Sequence, residues 1–199
     1  MSLYRKVQAV QRVFAQLEKA SVAFKDQTSL ECFSGCFNCC LKPDIYATSL
    51  EFLPMAYHLY RKGEAEELLD KAQNQIGTIC VNLSQTEGAV GGCTNYVDRG
   101  LICRLFGFSA MTNKYDKEVL VTCHRIKTES KDKYDNAVEG IDDGLSVPML
   151  TDYYTKLRFI DEELGAELLP INEAIIHALE AVLWYYTYRT STTPPRRAV

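Results

Sequence analysis

The eight cysteines of this 199-residue chain are concentrated in its middle, and they are the residues best suited to chemistry. Four of them form the dense element Cys32-x3-Cys36-x2-Cys39-Cys40, and Cys80, Cys93, Cys103 and Cys123 follow singly. Thiolate sulfur is a preferred ligand of zinc and of iron–sulfur clusters. Spacings of two or three residues let one loop turn two sulfurs towards the same ion, and Gly35 permits the tight backbone that this requires. We therefore expect the cysteines to bind metal.

The spacing leaves open how the thiols divide among metal sites. We expect the adjacent side chains of Cys39 and Cys40 to diverge, so that they serve different ions or different edges of one cluster. Eight thiolates would fill two tetrahedral zinc sites, or one four-cysteine iron–sulfur cluster with four thiols left for a second metal or for packing. Cys80 could equally be a small core residue, because it lies between Ile79 and Val81 at the end of a predicted helix.

A disulfide framework is the alternative for an even number of cysteines. The chain is too long for a disulfide-stapled miniprotein. A secretory signal would need an apolar run near the N-terminus, and Gln8, Gln11 and Gln16 interrupt that segment. No stretch approaches the roughly 18 apolar residues of a membrane span. We therefore expect a cytoplasmic protein with reduced thiols and no membrane contact.

The composition is that of a folded chain with an ordinary apolar core. Apolar residues make up 47% and charged residues 24%, which excludes a disordered chain. The 22 Lys and Arg against 26 Asp and Glu give a formal net charge of −4. This charge argues against a nucleic-acid partner, because such binding depends on neutralising phosphates. The sequence has no glycine-rich phosphate loop, no G-x-S-x-G element and no H-E-x-x-H helix, so these motifs supply no catalytic residue.

Helices are expected on both sides of the first cysteine loop, which they must position. Thr48 and Glu51 fit a capping box, and Gly63 should break the chain between two helices. The predicted elements of this half are a helix over 2–25, a loop over 26–44, a helix from the capping box to about Arg61, a helix over 64–83 and a glycine-containing loop over 84–92.

The second half of the chain is expected to close the fold with helices. Its predicted elements are a strand or buried turn over 101–108, a short strand or hairpin at 119–122, helices over 148–165 and 171–189, and a disordered tail over 191–199. We therefore predict a mainly α fold, with cysteine-rich loops around a metal centre and a short β-hairpin. Residues 1–190 should form a single metal-binding domain, in which the cysteine segment covers about 30–125.

The cysteines belong to a longer pattern of fixed positions. Its parts are Cys32, Cys36, Cys39 and Cys40, then Thr48 and Glu51, then Cys80-Val81-Asn82-Leu83, then Cys93-x2-Tyr96-x2-Arg99-x3-Cys103-Arg104-x-Phe106, and last Cys123. Over about residues 30–125 this pattern resembles the YkgJ-type cysteine-cluster family of zinc- or iron-chelating domains. The resemblance implies that all eight cysteines ligate metal, and it leaves zinc against iron–sulfur open. The sequence departs from the family at Gly100 and Gly107, where the family usually has proline, which affects loop geometry but no ligand.

Arg99 and Arg104 lie close to the cysteines in sequence and admit two interpretations. Their guanidinium groups could donate to thiolates and offset the negative charge of a four-thiolate site. They could equally pair with carboxylates at the surface.

Three functions fit this sequence. The leading hypothesis is a cytoplasmic metal-binding protein with a thiolate zinc or iron–sulfur site, in a structural, accessory or electron-transfer role. The second is an iron–sulfur-dependent redox or group-transfer enzyme, because the cysteine pattern also resembles that of a flagellin lysine methylase. The third is an interaction module in which zinc holds the fold, while the aromatic last helix around Trp184 contacts a protein partner.

Overall fold

A long N-terminal helix, α1 (Leu3–Thr28), contributes side chains to both apolar cores of the fold. The computed structural model describes this helix and the rest of residues 1–75, 79–84 and 91–190. Ser2 begins α1 by accepting from the Arg5 N–H at 3.4 Å, and Ser29 ends it with φ 55°. The helix predicted over 2–25 is thus confirmed and continues to Thr28.

Two helices follow the cysteine-rich loop: α2 (Leu53–Lys62) and α3 (Ala65–Gln73). A 3-10 turn over Ser49–Phe52 leads into α2, and the predicted capping box joins Thr48 to Glu51 at its start. Gly63 separates the two helices with φ 78°, a left-handed conformation that favours glycine. The predicted helix end near residue 61 and the break after it are therefore confirmed.

The described residues form three short antiparallel strand pairs, of which only the first joins distant parts of the chain. They are β1 (Tyr46–Ala47) with β6 (Leu169–Pro170), β2 (Leu83–Ser84) with β3 (Gly92–Cys93), and β4 (Ser109–Thr112) with β5 (Glu118–Val121). The hairpin predicted around residues 119–122 is confirmed as β4–β5, in which Ala110 lies opposite Leu120.

Residues 74–75 and 79–84, the described part of the chain after α3, are not helical, so the helix predicted over 64–83 is wrong at those residues. The side chain of Asn172 accepts from the Val81 N–H at 2.8 Å and donates to the carbonyls of Gln75 and Ile79 at 2.7 and 3.0 Å. In a helix these backbone groups would bond to backbone groups of neighbouring turns. Here they bond to a side chain from a distant part of the chain. The loop predicted over 84–92 lies largely outside the described residues.

Six further helices complete the fold in the described part of the chain. They are α4 (Leu101–Leu105), α5 (His124–Glu129), α6 (Lys131–Asp142), α7 (Leu150–Ile160), α8 (Glu162–Gly165) and α9 (Ile171–Thr190). The strand or turn predicted over 101–108 is wrong at α4, and α5 and α6 were not predicted. The helices predicted over 148–165 and 171–189 are confirmed, with a break at Asp161 between α7 and α8. The tail over 191–199 lies outside the described residues.

The helices enclose two apolar cores, which we term the main core and the second core. The main core joins the first half of α1 to α2, α7 and α9, and Leu53, Leu157 and Ile175 are fully buried in it. The second core lies under the β4–β5 hairpin and includes Phe24, Leu120 and Ile126. The predicted mainly α fold is confirmed. No helix among the described residues combines the length and apolar character needed to cross a bilayer.

Candidate metal centre

The loop between α1 and β1 carries four cysteines on tight turns. Gly35 has φ 67°, a conformation that would strain a residue with a side chain, and the Cys36 N–H donates to the Phe33 carbonyl at 3.0 Å. Asn38–Leu41 forms a 3-10 turn, in which the Cys40 N–H bonds at 2.8 Å to the carbonyl three residues earlier. The compact backbone that the spacing and Gly35 predicted is therefore present.

Side-chain amides hold the segments of Cys80 and Cys93. Asn172 fixes the backbone on both sides of Cys80, through the groups of Ile79 and Val81 described above. The Oδ1 atom of the buried Asn82 accepts from the Asn95 Nδ2 at 2.8 Å, which ties the Cys80 segment to the turn after Cys93. Cys80 itself is buried.

Cys103 lies in α4, and the buried carboxylate of Glu51 binds the start of that helix. The Oε2 atom accepts from the Ile102 N–H at 2.7 Å, while Oε1 accepts from the Thr48 N–H at 2.7 Å and from the Thr48 hydroxyl at 3.1 Å. Burial raises the pKa of Glu51 to about 7, against the lowering effect of these donors. Burial also raises the pKa of Cys103, and the nearby Glu51 charge raises it further.

Five thiols form what we term the inner thiol group: Cys39, Cys40, Cys80, Cys93 and Cys103. The Cys40 thiol donates to the Cys39 sulfur, which lowers the pKa of Cys39 to about 6 and raises that of Cys40. Burial raises the pKa of the other three thiols, for Cys80 to about 11, and thiolate neighbours within the group add to it. The two adjacent thiols therefore influence each other's pKa, and the expectation that they serve different ions or different edges of one cluster stays a prediction.

The remaining cysteines form the outer thiol group: Cys32, Cys36 and Cys123. Burial raises the pKa of Cys32, and the charges of Cys36, Cys39 and Cys123 raise it further. The Cys123 sulfur accepts from the Ile126 N–H at 3.4 Å at the start of α5. Cys39 thus lies within electrostatic reach of both thiol groups and links them.

Arg125 is the cation beside the outer thiol group. Its guanidinium donates to the Glu129 carboxylate at 2.9 Å, and the nearby Cys36 thiol adds to the effect of Glu129 in raising the pKa of Arg125. The same guanidinium lies 4.0 Å from the centre of the Phe33 ring. Arg125 therefore brings positive charge to a group of thiols that would otherwise repel one another when ionised.

Arg99 and Arg104 take different places. Arg99 lies within electrostatic reach of Cys39 and Cys93, where its charge favours the thiolate forms. Arg104 donates to the carbonyls of Arg99 and Val97 at 3.0 and 2.5 Å, and its guanidinium is 3.9 Å from the Glu18 carboxylate. The structure thus places Arg99 beside thiols, while Arg104 holds the loop that carries Arg99.

The donor set fits a metal that prefers sulfur. All eight cysteines are free thiols, and they come from separate segments that the fold brings into electrostatic contact. Within residues 1–75, 79–84 and 91–190, no three His, Cys, Asp or Glu side chains are arranged so that they could hold an ion as they stand. The thiols are therefore neighbours and not a closed coordination shell, and the assignment of all eight as ligands stays a prediction.

Two residues that support the centre were not identified from the sequence as doing so. Asn172 gave no signal, because its partners are more than 90 residues away along the chain. Glu51 was predicted only as half of the capping box, and its second bond, to α4, crosses 51 residues.

The comparisons with known proteins address the whole cysteine segment. Searches of curated proteins and of solved structures found no match. A family model, CxxCxxCC, matches residues 31–130 and is described as a putative zinc- or iron-chelating domain. The matched segment is just over half of the chain and contains all eight cysteines, Arg99 and Arg104. The chain therefore belongs to the CxxCxxCC family, which confirms the resemblance found in its motifs.

Proposed function

We propose that this chain binds zinc or an iron–sulfur cluster through its eight cysteine thiolates, within one metal-binding domain over residues 1–190. The observation that carries the proposal is the position of Cys39. Its charge raises the pKa of five other thiols: Cys32, Cys40, Cys80, Cys93 and Cys103. Thiolates this close repel one another, and a bound cation offsets that repulsion because it attracts each thiolate.

The role that fits best is structural, accessory or electron-transferring, in the cytoplasm, where thiols stay reduced. A bound metal would supply positive charge at the thiolates, and an iron–sulfur cluster would also accept an electron. Arg99 would offset the remaining negative charge from the side of Cys39 and Cys93. The burial of Cys80 would exclude water from one side of the inner thiol group.

The test is the metal content of protein purified without oxygen, by elemental analysis together with a visible spectrum. Zinc at one or two ions per chain, without colour, supports closed thiolate sites. Iron with matching sulfide and absorbance in the blue supports a cluster, and the redox and group-transfer reactions are then the next to be tested. Protein that takes up neither zinc nor iron, even when refolded with them, contradicts the proposal.

Serine variants test the ligands themselves. We expect Cys103→Ser and Cys36→Ser each to lower the metal content, one in the inner and one in the outer thiol group. Ser34→Ala is the matched control, because Ser34 lies exposed in the same loop as Cys36 and offers no sulfur. Unchanged metal content in both cysteine variants would show that the ligand assignment is wrong.

A further inference from the structure

Glu51 is a fully buried acidic residue whose hydrogen-bond partners all belong to uncharged groups. Its side chain is 0% exposed, and it accepts from the N–H and hydroxyl of Thr48 and from the N–H of Ile102. None of the ion pairs found among the described residues involves Glu51. Burying a carboxylate costs desolvation free energy, which its hydrogen bonds must offset. The bonds within its own turn are only part of that set, so the bond to Ile102 needs an explanation of its own.

The bond to Ile102 places the carboxylate at the start of α4. The N-cap residue of α4 is Gly100, which has no side chain to accept from the first N–H groups of the helix. A Cβ atom on Gly100 would lie 2.8 Å from the Glu51 Oε2 and 2.8 Å from the Phe52 ring. Glycine at this position therefore permits the close approach by which Glu51 replaces the missing cap.

The helix that Glu51 caps carries a cysteine of the inner thiol group. Helix α4 has only five residues, so its own hydrogen bonds cannot fix its position. Cys103 follows directly after Ile102, whose N–H is bound by Glu51. The place of the Cys103 sulfur thus depends on a residue that is not itself a thiol.

We propose that Glu51 is a positioning residue for the metal centre, because its carboxylate fixes the start of α4 and so sets where the Cys103 sulfur meets the inner thiol group. This inference rests on the proposed function. It explains why the position needs a carboxylate and not only a polar side chain. The N–H groups of Thr48 and Ile102 are both donors, and a glutamine would turn its own NH₂ group towards one of them.

The variant that tests this is Glu51→Gln, which keeps the shape and changes one acceptor into a donor. At pH 8, we expect the affinity for zinc(II), measured by competition with a chromophoric chelator, to fall about tenfold. The cobalt(II)-loaded protein should show weaker thiolate-to-metal absorption. Leu157→Ala is the control for destabilisation alone, because Leu157 is fully buried in the main core on α7. It should lower the midpoint of unfolding without changing the zinc affinity.

A double-variant cycle with Cys103→Ser decides whether Glu51 acts through that thiol. If it does, Glu51→Gln causes no further loss of zinc affinity once Cys103 is absent. An equal loss with and without Cys103, or an equal loss in Leu157→Ala, would overturn the inference. Should Glu51→Gln not fold, Gly100→Ala tests the same contact from the helix side, under the same criteria. Absence of zinc binding in the unaltered protein would instead contradict the proposed function.

Discussion

The inner and outer thiol groups differ in what holds them in place. Cys80 is part of the main core and Cys103 packs against it, and buried polar side chains fix the backbone beside both. In the outer thiol group Cys32 is exposed, and Cys123 packs against the smaller second core. Arg125, the charged residue beside the outer thiol group, lies at the surface and pairs with Glu129. In the inner group, packing and buried hydrogen bonds therefore hold Cys80 and Cys103, while Cys39 and Cys40 lie on the same loop as Cys32 and Cys36 of the outer group.

This difference indicates how each group would respond to metal. Thiols on a packed core are already ordered before a metal binds, so little conformational entropy is lost on binding. Thiols on an exposed loop are ordered mainly by the metal, and the free energy of binding then includes the folding of that loop. The comparison predicts that Cys80 and Cys103 keep their places when metal is lost, and that the thiols on the loop between α1 and β1 do not.

Metal removal should separate the thiols on the loop from those held by the main core most clearly. Structural zinc contributes about 10–16 kcal/mol in small thiolate domains, so its loss is the largest perturbation available. After chelation under reducing conditions, we expect the loop between α1 and β1 to lose protection from hydrogen exchange, while α1 and α9 keep theirs. Loss of protection throughout α9 as well would show that the main core also depends on metal, and the comparison would fail.

A pH titration of the metal-free protein should report on Glu51, which supports the inner thiol group. The pKa of Glu51 is raised by burial to about 7, above the ordinary value of 4.5, so the folded state binds its proton more tightly. The contribution of Glu51 to the free energy of unfolding should therefore fall as the pH rises from about 4.5 to 7, by about 3 kcal/mol. Chemical denaturation at several pH values measures this.

The controls for the titration come from both sides of the comparison. Glu51→Gln should remove this contribution to the slope of the free energy of unfolding against pH, because glutamine does not take up a proton in this range. Glu129→Gln, at an exposed carboxylate beside the outer thiol group, should leave the slope unchanged. A slope that persists in Glu51→Gln would assign the titration to another group.

Asn172→Ala should weaken the inner support without touching a thiol. The Val81 N–H and the carbonyls of Gln75 and Ile79 lose a buried partner, which we expect to cost about 2 kcal/mol of stability. Exchange protection should fall first at residues 79–84. Asn74→Ala, at an exposed asparagine that donates to the Asp70 carbonyl, is the matched control and should have little effect. Equal effects of the two variants would argue against a special role for Asn172.

Arg125→Gln should have the smallest effect, confined to the outer thiol group. The guanidinium is at the surface, so water and salt screen its attraction to the Cys36 thiolate. We expect the outer site to lose about twofold in zinc(II) affinity at low salt, and the difference to vanish at high salt. Titration of zinc at two ionic strengths measures this, and a loss that is independent of salt would assign Arg125 a packing role.

The elements that could be predicted from the sequence are those fixed within a few residues. The capping box at Thr48 and the left-handed Gly35 and Gly63 depend on local backbone chemistry, and each appears in the structure. The cysteines could be predicted as a donor set, because residue type alone determines their chemistry. Helix α6 was missed because its buried apolar side chains are few, namely Ala137 and Ile141.

The parts that could not be predicted depend on contacts between distant residues. The end of α3 and the start of α4 are both set by side chains that bond across 51 to 97 residues. The core that a cysteine meets also depends on such contacts: Cys80 and Cys103 lie in or against the main core, and Cys123 lies against the second core. Spacing carries no information of this kind, so the sequence left the division open.

The hydrogen bonds of Asn172 also impose an order on how the centre is assembled during synthesis. They span 91 to 97 residues, and every cysteine is made before Asn172 is. Contacts of such long range form late, because a long loop must first be closed. The nascent chain therefore presents eight thiols before it can hold Cys80 in place. A metal ion that binds before α9 has docked can therefore bind different combinations of these thiols. An ion that binds after α9 has docked finds Cys80 already held in its final place.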